Sequence, residues 1–515
     1  MLCAAHLPDL SIMGYLVILL LFACALWYIK FRWDRREMYR MISEFKQAAA
    51  PPLIGHTFTL IGSPTDIFRK IVNLLAEYEQ NVVIWFVNRP YVAIGKPEDM
   101  ETTLQSQNCL DKNYLYEFTE EVVGTGLFSA PVHKWRRNRK IIMPAFNSRI
   151  LENFVPIFAS TSSICAHEIL PKFVGKKGVD WYSVFTSVNL DTISQTAMGI
   201  NTDAQRKDLP FANWLEKLMQ LSALRIYNPF YHPDFIFFRM KVGKTFKECQ
   251  KKLWGFTDQV VTEKREKFKQ DLENNDFVST FEDDNGPIKR KAFLDLLLHL
   301  DHKGMSFSNI ELRDEVNTFF VGGTDTSAVT SCFFLTMMGM YQDIQDKVFE
   351  EIMDILGPDR TPTMEDLSKL KLLERCLKET LRLFPPAPFV IRDVTGGDIK
   401  ISDGTIPKGA SIFYPFIHLH RNPLYWERPL EFNPDRFLPD QVAKRHPYTF
   451  LPFSGGLRGC IGQKYSYMNL KTLQSTILRK FRVYCDYKTV EEIELDNFLV
   501  LRPLNGFKFY LEERK

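Results

Sequence analysis

The sequence predicts a mainly helical fold with small β-sheets, behind a single N-terminal transmembrane anchor. Three observations predict it. Leu10 to Ile29 carries no charged side chain, and twenty helical residues rise about 30 Å, the depth of a bilayer core. From about Lys134 to His299 the chain reads as mostly helical and aromatic. Strand-like runs are short and confined to a few places. With 515 residues the chain can bury a large core.

The apolar run is followed at once by Lys30, Arg32, Arg35 and Arg36, and preceded only by Asp9. The positive-inside rule then places the bulk of the chain in the cytosol. A cleaved signal peptide would need a basic start and a shorter apolar run. We therefore expect a retained anchor over 1–30, a basic juxtamembrane segment and linker over 31–62, and a folded body over 63–515.

Ala48 to Pro52, with Gly55, reads as a linker. Ser63-Pro64 starts a helix, with serine as N-cap and proline at the first helical position. Val82 to Phe86 and Tyr91 to Ile94 read as a hairpin around Asn88-Arg89-Pro90. Asn274 to Arg290 reads as an exposed polar loop. Ser308-Asn309-Ile310-Glu311 fits a capping box and opens a long helix to about Tyr341. A helix over about Leu373 to Phe384 is stopped by Pro385-Pro386. A last long helix runs from about Ile461 to Lys480, and a strand pair closes the chain.

Net charge is +3, too small to point to nucleic acid. The basic run Arg136, Arg137, Arg139, Lys140, with Lys464 and Lys471, forms a candidate docking patch for an acidic redox partner, a solvated face being the alternative. Nine scattered cysteines without C-x-x-C argue against a disulfide framework and a zinc ribbon. H-E-x-x-H is absent, which leaves a histidine metal site without support. One cysteine stands apart.

Phe453-Ser454-Gly455-Gly456-Leu457-Arg458-Gly459-Cys460-Ile461-Gly462 fits F-x-x-G-x-R-x-C-x-G. A metal-bound sulfur must be kept deprotonated and aimed. Glycines let the backbone approach, so that amide N–H groups point at sulfur. The start of a helix favours an anion there. Arg458 supplies a cation for a heme carboxylate, and thiolate ligation favours O–O cleavage. The segment resembles the heme-binding loop of the cytochrome P-450 superfamily, and further segments match in order. Trp135 and Arg139 fit W-x-x-x-R, four residues apart on one helical face; the resemblance implies that both bind a heme propionate. Gly322-Gly323-Thr324-Asp325-Thr326-Ser327 lies within the long helix, where each glycine costs about 1 kcal/mol against alanine. The bland reading is tight packing. The resemblance implies room for dioxygen at Gly322 and Gly323, with Asp325 and Thr326 guiding protons. Glu379 and Arg382 fit E-x-x-R, and the resemblance implies a buried structural pair completed by Arg436. It also implies a propionate contact for Arg392, cofactor contacts for Phe453 and Gly462, and the axial iron ligand at Cys460.

Ala145-Phe146 after Met143-Pro144, Glu315-Val316-Asn317-Thr318-Phe319 and Cys460-Ile461-Gly462-Gln463-Lys464 are similar to the family-4 clan, with an insect-like cast. Members of that clan often carry a glutamate that esterifies heme where this chain has Gly322, so non-covalent heme b is expected. The resemblance implies a monooxygenase on the cytosolic face of the endoplasmic reticulum membrane. It would act on an apolar small molecule: a fatty acid, hormone, odorant or pheromone, or xenobiotic. Electrons would come from NADPH through a separate flavin reductase, the NADPH–cytochrome P-450 reductase, with a b-type cytochrome as a further donor. No G-x-G-x-x-G context in the chain offers a nicotinamide site of its own. The rivals are a heme-thiolate isomerase or dehydratase, against which Asp325-Thr326 counts, and a non-catalytic heme carrier or sensor.

Overall fold

The computed structural model describes residues 10–51, 54–57, 61–86, 89–207, 210–274 and 292–514. Leu10–Asp34 is one helix. Its Gly14–Asp34 stretch is long and apolar enough to cross a membrane, and none of it is buried against the rest of the chain. A short helix, Arg36–Ile42, follows. Ile42 and Phe45 then turn inward and pack with Val83 and Val92.

The expected linker is not free. Ala48 N–H donates to Val83 O at 3.0 Å and His56 N–H to Trp85 O at 2.7 Å, and Gln47 and Gly55 form bridges to Val83 and Phe86. An edge strand exposes unpaired backbone groups, and this segment satisfies them. The packed body therefore begins near Ile42, ahead of the expected boundary at 63.

Ser63 caps Pro64–Ala76 as expected: its Oγ accepts from Asp66 N–H at 3.2 Å. The hairpin pairs Val82–Phe86 with Arg89–Ala93. It belongs to a sheet that continues through Ser411–Tyr414 and Val390–Asp393 to Asp111–Lys112. This sheet sets Lys112 beside Arg392, its antiparallel partner, and so joins distant sequence at one point. Two further strand pairs lie near the C-terminus, Phe481–Cys485 with Phe509–Glu513 and Leu495–Phe498 with Val500–Pro503.

Helices make up most of the rest. The long helix runs Asn309–Met340. Glu311 N–H donates to Ser308 Oγ at 3.1 Å and Ser308 N–H to Glu311 Oε2 at 2.9 Å, the reciprocal cap the sequence predicts. At 32 residues it is about 48 Å long and is buried along most of its length, notably against Trp181–Ile193. Another long helix, Lys241–Glu273, ends at Asn274. The loop expected from there to Arg290 lies, past Asn274, outside the described residues. Lys371–Leu383 precedes the double proline. Gln463–Lys480 starts two residues later than expected, with Gly462 as its N-cap.

Glu379 and Arg382 are fully buried and joined by two hydrogen bonds, 2.7 and 2.8 Å. Arg436 stands 3.3 Å from Glu379 Oε1, and Asn433 N–H donates to the same oxygen at 2.9 Å. Arg382 also donates to the carbonyls of His420, Pro429 and Glu431. The ion pair thus pins Lys371–Leu383 to the loops that lead into the Cys460 segment. Removing one buried partner strands the others: Glu379→Ala should lower stability by about 3–5 kcal/mol. The fall in the urea midpoint of the solubilised protein measures this.

Candidate active site

The Cys460 loop is built by backbone constraints. Cys460 N–H donates to Phe453 O at 2.9 Å and Gly459 N–H to Gly456 O at 3.2 Å. Gly456 has φ +64°, and a side-chain carbon there would collide with the carbonyl of Leu104. Glycine is required on both counts. Phe453 packs its ring on Tyr467, centroids 5.4 Å apart. The loop ends with Gly462 N–H pointing at Cys460 Sγ, 3.3 Å away. Burial raises the Cys460 thiol above its ordinary value, while the Gly462 N–H and the charge of Arg139 pull it down.

Cys460 opens onto a cavity of about 970 Å³. Among its lining residues are Trp135, Arg139, Gly322, Gly323, Asp325, Thr326, Arg392, Phe453, Arg458 and Gly462. The structure therefore gathers every predicted catalytic and cofactor-contact residue around one space. Glu379, Arg382 and Arg436 lie outside it.

Cations cluster beside the sulfur. Arg139 donates to Gly459 O at 2.8 Å. Arg458 lies over the Trp135 ring, 4.8 Å from its centre, and donates to Ala130 O. Burial lowers Arg458 to about 10. Arg392 is 1% exposed. Nε and Nη1 of both Arg392 and Arg458 are buried with no partner in the protein. Sequence reasoning missed Lys112, which lines the same cavity with its ammonium 4.3 Å from the Tyr116 ring centre. Burial pushes its pKa well down, with Arg392 and Arg458 adding to the effect. Buried guanidinium N–H groups without acceptors are costly. An apolar cavity holding a sulfur and unmatched cations fits heme, a flat apolar group with two carboxylates.

The central helix supplies the next group of residues. A side-chain carbon at Gly322 would meet nothing within 4 Å, whereas one at Gly323 would strike Ile193 at 2.8 Å. The two glycines thus differ: Gly322 keeps space open and Gly323 also lets the helix pack on Trp181–Ile193. Thr326 Oγ donates to Gly322 O at 2.6 Å. Asp325 is 2% exposed. Its Oδ1 accepts from the Tyr182 hydroxyl at 2.8 Å, and its Oδ2 has no protein partner. Burial raises its pKa, against the charge of Arg502 and the Tyr182 bond. Tyr182 is a second residue the sequence did not reveal.

Glu315, picked out in the sequence only by its motif, is fully buried. It accepts from Asn138 Nδ2 at 2.7 Å and Leu127 N–H at 3.0 Å, and burial raises it to about 7. Arg137 pairs with Glu311 at 2.8 Å. Both contacts tie Val132–Ile142, which carries Trp135 and Arg139, to the central helix. The proposed basic patch is smaller than expected. Lys471 is 5% exposed and is occupied by Glu374 and by Leu367 O. It lies on the inner face of its helix, so it cannot join a docking surface.

The family model for cytochrome P450 matches residues 48–509. Cytochrome P450 4g15 of Drosophila melanogaster is 31% identical, covering 96% of each chain. Cytochrome P450 4c21 of Blattella germanica is 33% identical over 98% of this chain and 100% of its own. Cytochrome P450 4V2 of Homo sapiens is 35% identical over 91% of this chain and 89% of its own. Relatives thus come from insects and mammals alike. The crystal structure of the cytochrome P450DA heme domain superposes with a TM-score of 0.76 over 92% of this chain and 98% of its own, at 22% identity, a likeness of fold. A family match across nearly the whole folded chain, together with a cysteine aimed into an apolar cavity, makes this chain a family-4 member of the cytochrome P450 family, a heme-thiolate monooxygenase.

Proposed function

We propose that this protein inserts one oxygen atom from dioxygen into a neutral, elongated apolar molecule, with electrons delivered from NADPH by a separate flavin reductase. A b-type cytochrome would be a further donor. The observation that carries the reading is that Cys460, the unpartnered nitrogens of Arg392 and Arg458, and Gly322–Thr326 share one cavity.

Heme bound there would supply dioxygen activation, with Cys460 Sγ holding its iron. Arg392, Arg458, Arg139, Trp135 and Lys112 hold its carboxylates. Phe453 and Gly462 shape the sulfur side. Gly322 leaves space open on the helix side of the cavity, where dioxygen would be accommodated. Thr326 offers a hydroxyl beside that space, and Asp325 presents its free Oδ2 for proton relay.

Charge supports the choice of a neutral substrate. Lys112, Arg139, Arg392 and Arg458 are engaged at the cofactor end. Arg89 also lines the cavity, but it is paired with Asp393 at 2.6 Å. Asp393 is itself fixed by Asn113 and Ser411 at 2.8 Å each. Among the described lining residues, the one arginine or lysine away from the cofactor end, Arg89, already has its charge matched by Asp393, although its Nε has no acceptor. Burying an unpaired carboxylate is costly.

The N-terminal helix supports an anchor over 1–30. We assign 31–62 as a basic juxtamembrane segment whose later part docks on the body, and 63–515 as the catalytic domain. The basic flank of the helix supports a cytosolic catalytic domain at the endoplasmic reticulum membrane.

Three outcomes follow. The reduced carbon monoxide complex should show a red-shifted, thiolate-type Soret band, and Cys460→His should abolish it; a mutant that keeps the band would unseat the ligand. In the second, dodecanol should shift the Soret band of the oxidised protein and bind about tenfold or more tighter than laurate, the cost of the unmatched carboxylate. With reductase and NADPH it should be hydroxylated. Tighter laurate binding would overturn the neutral-substrate reading. Third, acidic organic solvent should extract all heme from the chain, since Gly322 has no carboxylate. Gly322→Glu has the room to retain a fraction covalently. Heme left on the parent polypeptide would mean that another residue bonds it.

A further inference from the structure

Asp325 lies between two cavities. It lines the large one, and it is hydrogen-bonded through Oδ1 to Tyr182. Tyr182 lines a second cavity of about 540 Å³, together with Glu216, Arg502, Lys177 and Asp486. Lys177 and Asp486 are solvent-exposed and paired at 2.7 Å, so they mark the mouth of this cavity. Asp325 does not reach it, and Tyr182 is 7% exposed. Tyr182 therefore lines the second cavity and reaches the buried carboxyl through its hydroxyl.

The phenol is also held in place. The Arg502 guanidinium sits 3.5 Å from the centre of the Tyr182 ring. Arg502 is itself oriented by Glu216, at 3.6 Å. Arg502 comes from Val500–Pro503 and Glu216 from Pro210–Tyr227, so the guanidinium on the ring is paired with a carboxylate from a separate element. A buried Tyr–Asp contact can be mere satisfaction of polar groups. Here, however, only one carboxylate oxygen is satisfied, and Oδ2 is buried without a partner.

We propose that Tyr182, held by Arg502 and its partner Glu216, is the proton inlet of this enzyme, connecting solvent in the second cavity to Asp325. This inference rests on the monooxygenase reading and assigns the source of its protons. Each turnover joins substrate R–H, one dioxygen, two electrons and two protons into R–OH and one water. The electrons come from the reductase. The protons enter one at a time. As Oδ2 of Asp325 gives up its proton to the large cavity, Oδ1 takes the Tyr182 hydroxyl proton, and Tyr182 regains one from water in the second cavity. Rotation of the carboxyl then restores the proton to the free side. Arg502 and Glu216 touch neither substrate nor cofactor, so they are positioning residues.

The test uses the full-length protein with heme, reductase and NADPH, and dodecanol as probe. In Tyr182→Phe, heme content and the carbon monoxide band should be those of the parent. Product per NADPH should fall about a hundredfold, the low end of what general acid–base groups contribute. Peroxide should rise in step, and the solvent isotope effect on NADPH oxidation should increase. Arg502→Gln should move the same quantities in the same direction, and Arg502→Lys should recover most of that loss. Both Arg502 variants give a readout if Tyr182→Phe fails to fold. Parent-like coupling and isotope effect in a folded Tyr182→Phe or Arg502→Gln protein would overturn the inlet. The isotope effect is also read on NADPH oxidation without dodecanol. A parent that leaves dodecanol unoxidised therefore counts against the substrate reading alone.

Discussion

One cysteine sulfur has to face a largely apolar cavity in a position to hold a metal, and much of the molecule is arranged around that requirement. The backbone of the Cys460 loop is folded tightly enough that Gly456 tolerates no side chain against Leu104. In return, an amide N–H is aimed at the sulfur. The loop is braced from behind by buried charges: Glu379, Arg382 and Arg436 fix the segments leading into it. Such a cluster adds little net stability, because desolvation offsets much of the attraction. Its effect is geometric. Arg382 ties three carbonyls from separate turns to one helix.

The central helix meets a different demand. A helix of this length and burial would be most stable with a continuous apolar surface. Instead it carries Glu315, Asn317, Thr324, Asp325, Ser327 and Thr330 in its buried part, and it breaks its own propensity with two adjacent glycines. Consistency across levels is relaxed here in the way expected at a functional site. Gly322 opens space at the cavity, and Thr326 closes its hydroxyl onto the Gly322 carbonyl. Local back-bonding of this kind weakens and bends helices. In this chain the surrounding core holds the helix together.

How much of this the sequence makes legible depends on range. Local signals held well. The reciprocal cap at Ser308, the proline stop after Lys371–Leu383 and the hairpin at Val82–Ala93 all depend on residues a few positions apart. The Cys460 loop is likewise a single contiguous motif. Contacts between residues distant in sequence left no trace. Lys112 meets Arg392 only through sheet pairing, and Tyr182 meets Asp325 only because two long helices pack. The expected linker around Ala48 failed for the same reason: a strand edge elsewhere in the chain recruited it. Lys471 shows the reverse error. A lysine in a helix reads as solvated until a partner such as Glu374 is folded against its inner face.

The charges around the large cavity also constrain its chemistry. Lys112, Arg139, Arg392 and Arg458 crowd one end, and two of them have burial-lowered affinities for their protons together with mutual repulsion. Bound anions would offset the cost of such a cluster, and the two carboxylates of heme fit that role. The same cations cannot then attract an acidic substrate. At Arg89 the charge is consumed by Asp393, so the cavity away from the cofactor presents mainly apolar walls. Selectivity in such a space rests on shape and on the length of the apolar chain, where each methylene contributes about 0.8 kcal/mol. A site of this kind discriminates weakly between neighbours in a homologous series and strongly against charge. Phe86, Phe128, Phe319 and Phe389 supply part of those apolar walls, so in the proposed reaction the shape they set, together with the space left at Gly322, would govern which carbon approaches the cofactor.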